Sequence, residues 1–249
     1  MLILLPPSET KRPGGTGAPL DVDSLALPSL REARDAAITA LVGLSADEDE
    51  AMRVLKLSER QRGDLIANAT LRESPTMPAV DRYTGVLFDA LDAATLPAPA
   101  RRWLHGHVLI HSAPVGPVAA LDGLPAYRLA AGASLPGIPP LRRHWADAVT
   151  AALGELAPSF VLDLRSEAYA ALGPVPADIP HAYVRVVTAG ADGVVRALNH
   201  FNKHAKGELV RALALSRPRV RSLGGFASWA SSHGWELRDG KPGEIELMV

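Results

Sequence analysis

The sequence predicts an α/β protein, a single domain with a mixed sheet flanked by helices. Three observations lead there. Short apolar runs such as Leu2–Leu5 and 160–164 are bounded by Pro, Gly or polar residues and have strand length. Stretches with helical hydrophobic period lie between them. The chain has 249 residues, 47% of them hydrophobic, enough for one substantial core.

In chain order, Leu2–Leu5 reads as a buried strand stopped by Pro6 and Pro7, with Ser8 to Lys11 as the following loop. The Gly/Pro-rich stretch from Arg12 to Asp23 reads as a long mobile loop. Helices are expected from Ser29 to Leu96, a region that could form a helical subdomain. Ser29 and Glu32 have capping-box spacing ahead of Leu30, Ala33, Ala37, Ile38 and Leu41. The acidic run from Asp47 to Glu50 suits the first turn of a second helix, and Tyr83 to Leu91 suits another. Strands are expected at His107–His111, Phe160–Leu164, Ala182–Val187 and Ile245–Val249, and a helix at Leu141–Leu156. The loop from Gly132 to Pro140 could mark a subdomain boundary.

Composition excludes several functions. There is no cysteine, so disulfides, thiolate nucleophiles and thiol redox cycling are ruled out. No apolar run is long enough to span a membrane, and the N-terminal one lacks a basic flank. A cytoplasmic protein without membrane contact is expected. The formal net charge of −1 gives no global attraction for nucleic acid, so any such contact needs a local patch. No P-loop, dinucleotide fingerprint or Gly-x-Ser-x-Gly elbow appears, and no cofactor is expected.

One local patch stands out. Arg196, Lys203, Lys206, Arg211, Arg217, Arg219 and Arg221 are accompanied by a single acid, Glu208, for a local formal charge of +6. This segment is expected to be helical, with a hairpin from Leu215 to Phe226 whose glycines admit a phosphate. It suits non-specific phosphate contact. His200 and His204 have i, i+4 spacing, and His105, His107 and His111 alternate, but neither set completes a recognisable metal site. No metal is expected.

A second set is dispersed: Ser8, Lys11, Tyr83, Thr84, Ser112, Arg128, Arg165 and Ser166 as anion or substrate contacts, with Glu167, Tyr169 and Lys203 as acid–base candidates if the protein is an enzyme. Several follow expected strands, where α/β proteins place ligands. Convergence would let Arg128 and Arg165 clamp an anionic small molecule or nucleotide. The competing reading is a structural Arg128–Glu167 ion pair.

Six elements in order carry a family resemblance: Pro6–Lys11; Asp81-Arg82-Tyr83-Thr84-Gly85; His111-Ser112-Ala113 with Pro125-Ala126-Tyr127-Arg128-Leu129; Trp145; Leu164-Arg165-Ser166-Glu167-Ala168-Tyr169; and Asn202-Lys203-His204-Ala205-Lys206-Gly207. Together they resemble the YaaA-like peroxide-stress proteins. The resemblance implies an α/β fold of unusual topology and a role in limiting oxidative damage. It also implies DNA binding by a helix–hairpin–helix-like segment near the C-terminus. The chain departs from the pattern at Ala79, Val115-Gly116-Pro117, Phe201 and Lys206, the last standing where an Arg is expected.

Overall fold

The computed structural model describes residues 1–189, 195–197 and 199–249, with side chains described outside 189–201. The chain opens with β1 (Leu2–Leu5), all four residues buried, as an uninterrupted apolar run requires of a strand covered on both faces. The stretch expected to be a mobile loop instead forms β2 (Gly17–Pro19) and a 3₁₀ turn at Val22–Ser24. Next comes α1 (Arg31–Leu44). Ser29 does not cap it, because Pro28–Leu30 closes a separate 3₁₀ turn first. Asp47 caps α2 (Glu48–Leu55) and places three acids in its first turn, as expected.

Then follow α3 (Asp64–Ala69), β3 (Pro75–Pro78), α4 (Ala79–Arg82) and α5 (Val86–Leu91). The helix expected from Tyr83 is broken at Tyr83–Gly85, where Gly85 takes φ 94°. Next are α6 (Ala98–His107), β4 (Val108–Ser112), β5 (Gly116–Ala119), β6 (Gly123–Leu124) and α7 (Leu141–Leu156), the last with the expected bounds. His107 therefore ends a helix while His111 lies in a strand, so the three alternating histidines share no face.

The chain closes with β7 (Val161–Asp163), α8 (Glu167–Ala170), β8 (His181–Ala189), β9 (Val195–Ala197), α9 (Asn199–Ser216), α10 (Leu223–Ser232), β10 (Leu237–Asp239) and β11 (Glu244–Met248). The basic segment is thus not one helix. Arg196 lies in β9 with its side chain outside the described residues, as is that of His200, and Arg217 to Arg221 lie beyond the end of α9. Gly224 and Gly225 sit inside α10, whose N-cap is Ser222.

The main sheet runs β10-β11-β8-β7-β1-β4-β5, with β9 paired to β8; β2, β3 and β6 form a small antiparallel sheet. Strands β4, β1, β7, β8 and β11 are mutually parallel, and antiparallel β5 and β10 form the two edges. Leu4 pairs with Leu109 on one side and Asp163 on the other. From β1 the chain crosses to β4, whereas from β7 it crosses the opposite way to β8. This reversal opens a crevice beyond the carboxyl ends of β1 and β7, where open parallel sheets bind ligands.

Helix α9 packs on α5, α6 and β8, and α1 packs on α7. Gly207 allows the α5–α9 contact, because a β-carbon there would overlap the Leu87 carbonyl oxygen and crowd Ala90. The buried apolar residues form one continuous cluster drawn from nearly every element.

Candidate functional site

The crevice is a cleft of about 930 Å³, within the size range of small-molecule sites. Its walls are the Pro6–Thr10 loop after β1, the 164–169 segment after β7, the Thr84–Phe88 turn into α5, Tyr183 and Arg185 of β8, and Asn202, Lys203 and Lys206 of α9.

The loop after β1 is built by its own lysine. Lys11 Nζ donates to the carbonyls of Ser8 (3.0 Å) and Glu9 (3.2 Å) and lies 3.9 Å from the centre of the Tyr127 ring. Burial, then the nearby Arg128, push its amine down to about 7. With two donors committed to the backbone, Lys11 shapes the loop and is not among the cleft-lining residues. The Tyr83 and Tyr127 hydroxyls share a hydrogen bond of 2.7 Å behind it, and burial raises the pKa of both.

Gly85 lets the α5 turn approach this loop, since a β-carbon there would meet Ser8 Oγ at 3.3 Å and Thr10 Oγ1 at 3.4 Å. Thr84 Oγ1 donates to Thr10 Oγ1 (3.0 Å), and Ser8 Oγ lies 3.3 Å from the same atom. Three hydroxyls therefore meet at one rim. Arg82, fully buried, ties this corner to the small sheet by donating to the carbonyls of Arg12, Pro75 and Leu124.

The other wall rests on a buried ion pair. Arg165 Nη2 lies 2.6 Å from Asp163 Oδ2, and its Nη1 donates to the Gly173 carbonyl and contacts His111 Nδ1. Burial, then Arg165, hold His111 well below the usual imidazole range. Its Nε2 is buried without a hydrogen-bond partner among the described residues. Burial keeps the Tyr169 phenol protonated far above neutral pH.

The expected set therefore converges only in part. Ser8, Thr84, Ser166, Glu167, Tyr169 and Lys203 line the cleft; Lys11, Tyr83, Ser112, Arg128 and Arg165 do not. The expected double-arginine clamp is not formed. Arg165 is committed to Asp163, and Arg128 pairs with Glu9 at 3.1 Å. The competing Arg128–Glu167 ion pair is not formed either, because Glu167 pairs with Arg185, which also holds Glu244 at 2.6 Å.

Sequence reasoning missed Thr10, Tyr183, Arg185 and Asn202. Thr10 was legible as a third hydroxyl in the loop already singled out. The other three had no local signal, since strand pairing and helix docking bring them in.

The cations of the basic segment have three different fates. Lys206, expected on an exposed face, is buried at the cleft, donating to the Leu164 carbonyl at 3.1 Å and lying 5.6 Å from the Tyr183 ring centre. Burial lowers its amine to about 8, partly offset by Asp163. Arg211 donates to the carbonyls of Leu91 and Asp92 and pins α9 to the end of α5. Arg217, Arg219 and Arg221 line a separate cavity of about 410 Å³ with Trp103 and His107. His204 pairs with Glu208.

Fold and cleft together define an α/β protein with a polar crevice at the strand-order reversal of a largely parallel sheet. The Peroxide stress protein YaaA family matches residues 1–239, and the chain belongs to that family. It is 45% identical to a UPF0246 protein of Corynebacterium efficiens over the whole of both chains. Identity is 44% to one of Corynebacterium glutamicum, covering all of this chain and 99% of the relative. It is 40% to one of Streptomyces coelicolor, covering all of this chain and 98% of the relative.

Proposed function

We propose that this peroxide-stress family member holds an anionic, nucleotide-sized ligand in the cleft between the carboxyl ends of β1 and β7. The observation that carries this reading is the placement of Lys203 and Lys206 in a cleft also lined by Ser8, Thr10, Thr84 and Ser166. Charge-assisted hydrogen bonds to ammonium groups are among the strong polar contacts available to a ligand. The acid–base candidates are less poised than the binding groups. Glu167 is held by Arg185, and the Tyr169 phenol is a proton donor, not a base, at neutral pH. Binding is therefore the primary role, and turnover would call on Lys203 with Glu167.

The test is calorimetric titration of the chain with millimolar panels of nucleotides, sugar phosphates and dicarboxylates. Saturable binding that Lys203→Met weakens supports the reading. No binding by any anion of the panel overturns it.

A second reading is non-specific DNA contact, with α9 and α10 acting as the helix–hairpin–helix-like element. It is favoured by the cavity that Arg217, Arg219 and Arg221 share, where none of the three forms an ion pair among the described residues. Duplex binding across a salt series, with the three arginines replaced by alanine, tests it. The salt slope should flatten by about 0.9 for each phosphate no longer neutralised. An unchanged slope removes DNA from this surface.

A further inference from the structure

Most charges around the cleft already have partners. Glu9 is held by Arg128, Glu167 and Glu244 by Arg185, and Asp163 by Arg165. Lys206 is the exception. It is 5% exposed, its Nζ makes one hydrogen bond, to the Leu164 carbonyl, and no carboxylate pairs with it among the described residues. A buried ammonium offset only by Asp163, which is itself paired with Arg165, is costly, and an incoming anion relieves that cost.

Lys203 lies one turn earlier on the same helix face and lines the same cleft. The buried side-chain oxygen of neighbouring Asn202 has no hydrogen-bond partner among the described residues and, as an acceptor, suits a ligand hydroxyl or amine. The same cleft is lined by Ser8, whose hydroxyl can turn its proton from Thr10 to a phosphoryl oxygen, and by apolar surface from Pro7, Val86 and Phe88. The cleft thus offers two positive charges at one place and apolar contact beside them. A phosphomonoester carries about −1.5 to −2 charges at neutral pH; a phosphodiester carries one.

We infer that the cleft takes a phosphomonoester on an apolar or aromatic body, its terminal phosphate seated against Lys206 and Lys203, and that it discriminates against phosphodiesters. This rests on the cleft-binding reading above and names its ligand class. Such a phosphate can come from a free nucleotide or from the phosphorylated end of a nucleic-acid strand.

The test is calorimetry on the full chain with AMP, adenosine, cyclic AMP, and a short oligonucleotide with and without a 5′-phosphate. AMP should bind about tenfold or more tightly than adenosine or cyclic AMP, and Lys206→Met should remove that margin. Lys206→Arg, which keeps the charge, should retain a preference for AMP over adenosine. Affinity should rise with pH as the phosphate takes its second charge near pH ~6. It should fall as Lys206 loses its proton near pH 8. The groups acting on this amine are Asp163, Arg185 and the Tyr183 ring.

A 5′-phosphate that raises oligonucleotide affinity above that of AMP assigns the ligand to strand ends. AMP binding as tightly as the phosphorylated strand assigns it to free nucleotides. Equal affinity for AMP, adenosine and cyclic AMP, or AMP binding untouched by Lys206→Met and flat above pH 8, overturns the inference. In that case a dicarboxylate that binds and responds to Lys203→Met leaves the cleft reading standing, whereas failure of every anion ends both.

Discussion

Helix α9 and the segment after it carry cations under opposite conditions. Near the middle of the helix, Lys206 is buried against Leu164 and Tyr183, and its proton is loosely held. Beyond the C-terminal end, Arg219 and Arg221 are exposed on either side of buried Val220. Lys206 and Arg217 are separated by about 16 Å of helix. Seven cations adjacent in sequence therefore do not make one surface. Desolvation loosens the proton of a lysine packed inside the fold, while Arg219 and Arg221 stay in solvent.

The comparison breaks most severely where the cleft wall is held up. Arg165→Met leaves Asp163 buried and uncompensated, and it should cost about 3–5 kcal/mol in a urea titration. Arg219→Ala should leave the urea midpoint unchanged. A small loss for Arg165→Met would mean that Asp163 escapes burial by taking up a proton or solvent.

Gly207→Ala comes next. Alanine favours the helix by about 1 kcal/mol, but the overlap with the Leu87 carbonyl costs about 1–3 kcal/mol. Net destabilisation by calorimetric melting is expected, together with weaker ligand binding as Lys206 shifts. A stabilised variant would show that α5 yields easily.

The buried amines give a pH-dependent effect. Lys206 has a folded-state value of about 8, against about 10.4 when unfolded. The unfolded chain therefore binds more protons between those values, and the contribution of this group to stability rises with pH across that window, by up to about 3 kcal/mol. Lys11, at about 7, acts in the same direction from a lower pH. Above pH ~10 the buried tyrosines reverse the trend, since the folded state resists their ionisation. Lys206→Met should melt above the wild type at pH 7, with the gap closing toward pH 10. A gap independent of pH would mean that Lys206 is not desolvated.

The mildest expected change is Arg211→Ala, which loses hydrogen bonds to the backbone of Leu91 and Asp92. It should cost about 1–2 kcal/mol of stability and leave the AMP affinity intact. A loss of affinity would couple the far end of α9 to the cleft.

Several elements were legible locally. The 141–156 helix shows its period plainly after Pro140, and Leu2–Leu5 is too apolar and too abruptly stopped to be anything but a buried strand. Strands β5, β6 and β10 were not, because two to four residues carry no periodic signal and owe their conformation to a partner. The cleft was half legible. Residues following β1 and β7 were picked out from strand ends and line the cleft, whereas the pairing of Arg128 with Glu9, 119 residues away, had no local signal.

By itself the sequence determined the alternation of strands and helices, the exclusion of thiol chemistry and, through six scattered elements, the family. The tertiary structure alone decided which cations line the cleft, which are spent on carboxylates or carbonyls, and which remain in water. The physical reason is range. Periodicity, capping and turn preference act within a few residues. Burial and charge pairing depend on registers such as Leu4 beside Asp163, set between segments about 160 residues apart.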